Sequence, residues 1–128
     1  MSTEALNGSR AANVAAQIIT IPRTFTELGN VSIYSLLERT GYFDVPDHIS
    51  EADIRAALVC CPECIEEWMQ YSEGKRTSGW YITLDKPRYE VGYVSENGHC
   101  AKQAYYDNEM DACATFIKHE IENIRLAK

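Results

Sequence analysis

The fold class is decided by one stretch of the chain, GWYITLDKPRYEVGYVSENGHCAKQAYY, which occupies residues 79–106. In residues 80–84 large apolar side chains occupy every second position, the period of two that is typical of a half-buried β-strand. The same alternation returns in residues 89–93, after a turn predicted at residues 85–88. These two segments predict an antiparallel pair of strands.

The end of this stretch predicts a third strand. Asn97 and Gly98 are typical of a two-residue type I′ hairpin turn, because both positions of that turn need a positive φ. We therefore predict a tight turn at these two residues and a strand at residues 99–106. The three strands together form a three-stranded antiparallel β-meander.

The residues after the meander predict an amphipathic C-terminal helix at residues 108–126. Asn108 and Asp111 can cap its beginning. Its apolar residues share one face, which is expected to pack on the sheet. These residues are Met110, Cys113, Ala114, Ile117, Ile121 and Ile124.

The residues before the meander, from 30 to 74, are predicted to be mainly helical. Asn30 or Ser32 can cap a first helix, and Ser50 with Asp53 forms a capping box for another. A further amphipathic helix follows Pro62. Its apolar arc holds Cys61, Cys64, Ile65, Trp68, Tyr71 and Ser72, and the opposite arc holds Glu63, Glu66, Glu67 and Glu73. N-terminal helices, a meander and a covering helix define an α+β domain.

The N-terminal region gives weaker signals. Residues 1–10 are expected to form a flexible tail, and residues 11–21 fit either a strand or a short helix that Pro22 ends. With 128 residues, the chain has the usual size of a single domain. Its first residues are polar and include Glu4, which does not fit the expected pattern of a signal peptide, no apolar run of roughly 20 residues is found, and its five cysteines are an odd number. We expect a soluble cytoplasmic protein with reduced thiols.

The charge of the chain excludes one class of partner. Nineteen acidic residues face twelve Lys and Arg, which leaves a net charge of −7. Nucleic-acid binding draws its affinity from phosphate neutralisation, so neither DNA nor RNA is an expected partner. The excess is local, because residues 38–73 hold nine acidic and two basic residues, and the rest of the chain holds ten of each. A basic protein is the natural partner of such a region.

The cysteines offer the main chemical alternative. Cys61 and Cys64 form a C-x-x-C pattern, but the strand that precedes this motif in thiol oxidoreductases is replaced by a capped helix. A zinc site could combine Cys60, Cys61 and Cys64 with His99, Cys100 or Cys113, although only one pair of closely spaced ligands is present. Burial of these thiols in the core is the favoured interpretation, and neither a metal nor a cofactor is predicted.

No motif predicts catalysis. None of the segments around His48, His99 or His119 places a nucleophile beside the histidine. Glu66 and Glu67 are adjacent in a helix, so their carboxylates point about 100° apart and do not form an acid–base pair. We therefore predict that the protein is not an enzyme.

Several segments resemble those of small bacterial proteins encoded beside polymorphic toxins, including immunity proteins of contact-dependent growth-inhibition systems. The resemblance covers residues 31–125. The segments that carry it are GYF at residues 41–43, ISEADIRAA at 49–57, WMQYSEGKR at 68–76, SGWYI at 78–82 and DACATFI at 111–117. In such proteins a strand meander commonly ends in a helix with an acidic-Ala-Cys-aromatic pattern.

This resemblance implies a cytoplasmic immunity protein that binds and neutralises the C-terminal domain of one cognate toxin. Many of these toxin domains are nucleases, which need basic surfaces to hold a phosphate backbone. An acidic inhibitor complements such a surface. The predicted contact residues are Asp44, Asp47, Glu63, Glu66, Glu67 and Glu73. The alternative is a small thiol- or zinc-binding protein centred on Cys60, Cys61 and Cys64.

Overall fold

The computed structural model describes the backbone of residues 3–74, 79–85 and 88–127. Within them, six α-helices accompany one antiparallel sheet of three strands, which confirms the predicted α+β class. The elements are α1 (Thr3–Ile18), α2 (Ile21–Leu28), α3 (Ile33–Arg39), α4 (Glu51–Cys60), α5 (Glu63–Gly74), β1 (Gly79–Asp85), β2 (Arg88–Val94), β3 (Cys100–Tyr106) and α6 (Glu109–Ala127). Two short 3-10 turns, Tyr42–Asp44 and Pro46–His48, join α3 to α4.

The sheet has the predicted meander order β1-β2-β3, and α6 packs on it. Ile82 pairs with Val91 across β1 and β2, and Val91 pairs with Ala104 across β2 and β3. Ile82 and Val91 are both buried. The alternation predicted from the sequence therefore places one face of the strands against α6.

The turn between β2 and β3 differs from the prediction. Ser95 closes it by donating its backbone N–H to the carbonyl of His99 at 2.9 Å, so three residues form the loop. Gly98 has a φ of 87°, whereas no described residue other than glycine has a positive φ. Asn97 therefore does not adopt the conformation that a type I′ turn requires, and the two-residue turn is wrong. A three-residue hairpin loop needs a left-handed residue only at its end, and Gly98 supplies it.

The N-terminal region also differs from the prediction. Residues 3–10 belong to α1 instead of forming a tail, and Pro22 lies in the first turn of α2 instead of ending an element. Ala11, Val14 and Ile18 are buried along one face of α1, at the spacing of a helix. Alanine is the best helix former, and the polar residues between these positions fall on the solvent side. Proline is favoured at the beginning of a helix, where its missing N–H is not needed.

The predicted caps are confirmed. The Ser32 side chain accepts from the backbone N–H of Ser35 at 3.0 Å. Ser50 and Asp53 form the complete capping box, and the Asn108 side chain accepts from the N–H of Met110 at 2.7 Å. These bonds satisfy backbone donors that a helix leaves free at its N-terminus.

The core lies between the helices and the inner face of the sheet, and Trp68 is its largest buried side chain. The Trp68 ring packs edge-on against the rings of Tyr71 and Phe116, with centroid distances of 5.3 and 6.1 Å. The indole Nε1 donates to the carbonyl oxygen of Ile19 at 3.0 Å. Trp68 thus connects α5 to α6 and to the turn after α1.

None of the described helices is long and apolar enough to cross a membrane.

A polar cluster joins the other side of α6 to the first 3-10 turn. Glu122 accepts hydrogen bonds from Tyr42 and, at 2.9 Å, from both Nε and Nη2 of Arg125. The Arg125 and Tyr42 bonds lower the pKa of Glu122 from 4.5 to about 2, against the opposing effect of burial. Lys118 donates to the Tyr42 hydroxyl at 2.9 Å and completes the cluster.

We expect Glu122→Gln to destabilise the protein by about 1 kcal/mol at neutral pH, because it removes the charge from these hydrogen bonds. The folded-state pKa of Glu122 lies below its ordinary value, so the carboxylate stabilises the fold above pH 4.5. That contribution disappears as the pH falls from 4.5 towards 2. Urea denaturation from pH 7 to pH 2 should therefore show wild type and variant converging. A difference that stays constant through this window would contradict the prediction, and Glu66→Gln, at an exposed position of α5, is the control.

Candidate functional site

The exposed side of α5 carries most of the predicted contact residues. Its buried side holds Cys64, Ile65, Trp68 and Ser72, as the sequence predicted. Since consecutive helix residues are rotated by about 100°, the glutamates project from the opposite side. The exposed ones are Glu63, Glu66 and Glu73, and these three residues are called the α5 acidic face below.

The fourth glutamate of α5 has a structural partner. Arg23 of α2 binds Glu67 with two hydrogen bonds, Nε to Oε2 at 2.9 Å and Nη2 to Oε1 at 3.1 Å. The hydrogen bond to Glu67 and its charge raise the pKa of Arg23 above its already high value. The pair connects α2 to α5 and neutralises Glu67. Of the four glutamates of α5, the other three form no salt bridge with a described residue.

The remaining two predicted contact residues lie elsewhere. Asp44 and Asp47 are exposed in the two 3-10 turns. On helix α6, Lys118 faces the 3-10 turns, because it donates to a backbone oxygen of the second turn at 3.1 Å. Glu120 of the same helix faces α5, because it accepts from the Tyr71 hydroxyl at 2.5 Å. Lys118 and Glu120 face nearly opposite directions on their helix. The structure therefore separates the two aspartates from the α5 acidic face.

A groove of about 660 Å³ lies between α2 and α5, beside the Arg23–Glu67 pair. Phe25, Ile33 and Tyr71 give it apolar walls, and Glu27 adds a further carboxylate. Phe25 is 38% exposed, which is unusual for a phenylalanine. The sequence did not predict this groove, because Pro22 was interpreted as the end of an element and α2 was missed. An apolar residue three positions after Pro22 was the available signal.

The thiols gather at the corner between α4 and α5. The Sγ atoms of Cys61 and Cys64 are 3.0 Å apart, and Cys61 also donates to a carboxylate oxygen of Glu63 at 3.0 Å. Burial, followed by the hydrogen bond with Cys61, raises the pKa of Cys64 to about 12. Burial likewise raises the pKa of Cys113. Cys60 points to solvent.

A zinc site would need at least three of these donors close together. Among the residues whose side chains are described, no three His, Cys, Asp or Glu groups are arranged to hold a metal ion. The side chain of Cys100 lies outside the described residues. Of the predicted zinc ligands, the structure places Cys61 and Cys64 in direct contact.

No family model, no curated protein and no solved structure matches this chain.

Proposed function

We propose that this protein is a cytoplasmic immunity protein, which binds and neutralises one cognate bacterial toxin domain and catalyses no reaction itself. The observation that carries the proposal is the α5 acidic face. It places three exposed carboxylates, none of them in a salt bridge with another described residue, on one side of a helix of 12 residues. The resemblance of several segments to immunity proteins of contact-dependent growth-inhibition systems supports the same role.

Charge identifies the kind of toxin surface that fits. A nuclease domain needs Lys and Arg to hold a phosphate backbone, and carboxylates compete for the same cations. Opposite charges also accelerate encounter between proteins, and fast capture protects a cell from a toxin that acts on its own nucleic acid. A basic nuclease domain is therefore the proposed partner.

The groove supplies the apolar contact area that charges alone do not provide. Stable interfaces have an apolar, desolvated centre surrounded by a polar rim, and a few aromatic or arginine anchors give most of the affinity. In this protein Phe25 and Tyr71 line the groove, while Glu27 and Glu67 contribute carboxylates to it. An apolar or arginine side chain of the toxin domain fits this combination.

The size of a standard interface requires both features. One partner contributes about 800 Å², a patch roughly 30 Å across. Helix α5 has 12 residues and is roughly 18 Å long, so its exposed side is too small by itself. Because α2 packs beside α5, the groove and the α5 acidic face together approach the required extent.

The alternative function centred on Cys60, Cys61 and Cys64 receives less support. A reactive cysteine needs thiolate character, and burial raises the pKa of Cys64 far above neutral pH. The pair of sulfur atoms nevertheless has a specific geometry, with Cys61 and Cys64 in direct contact.

The proposal is tested by co-expression with the neighbouring toxin domain that the immunity function requires, which is expected to be encoded immediately upstream. We expect cells that express the toxin domain alone to stop growing and cells that express both proteins to survive. The two proteins should co-purify in a stoichiometric complex, and a purified nuclease should lose its activity on addition of this protein. Persistent toxicity without a complex would exclude the immunity function.

A further inference from the structure

The corner between α4 and α5 brings two thiols together by backbone geometry. Helix α4 ends at Cys60, and the backbone N–H of Cys61 donates to the carbonyls of Ala57 and Leu58, each at 3.1 Å. The N–H of Cys64 in turn donates to the carbonyl of Cys61 at 3.1 Å. The chain turns at these residues, and the side chain of Cys61 lies against Cys64 in the first turn of α5.

The resulting distance is close to bonding range. The two Sγ atoms are 3.0 Å apart, and a disulfide bond measures about 2.04 Å, so a movement of roughly 1 Å forms the bond. In thiol oxidoreductases a strand leads into the C-x-x-C motif, whereas here a helix C-terminus provides the same proximity. The sequence alone did not predict this contact between Cys61 and Cys64.

The two sulfur atoms differ in access to solvent. Cys61 is half-buried, so a small reagent can reach it, whereas Cys64 is fully buried with an exposure of 0%. The Arg23 guanidinium lies with its Nη2 atom 3.9 Å from the Cys64 sulfur, and its charge partly offsets the effects of burial, Cys61 and Glu67, which together raise the pKa of Cys64. Cys61 is thus placed to react first and Cys64 to resolve the product.

We propose that Cys61 and Cys64 form a reversible intramolecular disulfide by exchange with a small-molecule disulfide such as oxidised glutathione. The Cys61 thiol loses its proton, attacks one sulfur of glutathione disulfide and releases one glutathione thiolate. Cys64 then loses its proton and attacks the Cys61 sulfur, which releases the second glutathione. Two protein thiols are oxidised, one glutathione disulfide is reduced to two thiols, and reduced glutathione reverses both steps.

The experiment uses the folded full-length chain in glutathione buffers of increasing oxidised-to-reduced ratio, followed by acid quenching, alkylation and mass spectrometry. We expect a species that has lost the mass of two hydrogen atoms, and its fraction should follow the buffer ratio reversibly. Cleavage of the chain after Glu63 separates Cys61 from Cys64, so the linked peptides must remain together until reduction.

Three variants identify the pair. Cys60→Ser, at the exposed neighbouring cysteine, should oxidise like wild type, whereas Cys61→Ser should not form the linkage. Cys64→Ala should instead accumulate a mixed disulfide on Cys61 that persists at least about tenfold longer than in wild type, because the adjacent resolving thiol is gone. If Cys64→Ala does not fold, the comparison of wild type with Cys61→Ser, which is altered at the more accessible site, still tests whether the disulfide forms.

Three results would overturn the proposal. One is a chain in which Cys61 and Cys64 remain reduced at every buffer ratio. Another is a linkage that maps to Cys60 or Cys113. The third is equal oxidation of wild type and Cys61→Ser.

Discussion

Replacing Trp68 by alanine is expected to lower the free energy of unfolding by roughly 3–5 kcal/mol, the range for removing a large buried aromatic side chain. Trp68 is 1% exposed, and the substitution leaves a cavity between α5 and α6. It also removes the donor to the carbonyl oxygen of Ile19. Because domains are stable by only about 5–15 kcal/mol, the variant should be close to unfolding at 37 °C.

Equilibrium denaturation in urea, followed by circular dichroism, measures this loss. Trp68→Phe keeps most of the apolar volume and loses the hydrogen bond to Ile19, so it should cost less than the alanine variant. Phe25→Ala, which truncates an aromatic residue that is 38% exposed, is the control and should cost below about 1 kcal/mol. A loss below about 1 kcal/mol for Trp68→Ala would mean that α5 is not anchored in the core as described.

The burial of Trp68 was predictable because it depends on local periodicity. A helical arc from Cys64 to Ser72 separates buried from exposed residues whatever the partner elements are, and the strand alternation in residues 80–84 works in the same way. The caps at Ser50 and Asn108 were predictable for a related reason, since a cap bonds to backbone only two or three residues away.

The wrong predictions concern residues whose structural role the hydrophobic periodicity does not determine. Pro22 is compatible with either the end or the first turn of a helix, and only the packing of α2 on α5 selects the second. Asn97 and Gly98 fit both a two-residue and a three-residue hairpin loop, and the choice depends on which residues of β2 and β3 pair.

In the candidate functional site, too, features that depend on local periodicity were predicted and contacts between distant residues were not. The sequence predicted that Glu63, Glu66 and Glu73 point away from the core, because they lie on the polar arc of α5. It did not predict that Glu67 is neutralised by Arg23, since these residues are 44 positions apart. Contacts at such a separation follow from the tertiary fold, and so does the groove between α2 and α5.

The structure also sharpens the electrostatic prediction for toxin binding. We expect Glu63→Lys, Glu66→Lys and Glu73→Lys together to lower the association rate constant with the toxin domain by roughly 10–100-fold at low salt, since charge complementarity acts mainly on encounter. Glu67 is kept, because a lysine there would face Arg23 and break the contact between α2 and α5. Stopped-flow or surface-based kinetics between about 50 and 500 mM salt measures the effect, which should shrink as salt screens the charges.

A second triple variant separates the position of the charges from their number. Asp44→Lys, Asp47→Lys and Glu96→Lys change the net charge of −7 by the same six units, to −1, at exposed positions outside α5. If the α5 acidic face is the contact surface, this variant should retain most of the association rate after its stability has been verified. Equal losses in both variants would mean that overall charge matters and no particular face does. A loss confined to the second variant would place the interface at the 3-10 turns or at the β2–β3 hairpin, because those are the sites altered in it.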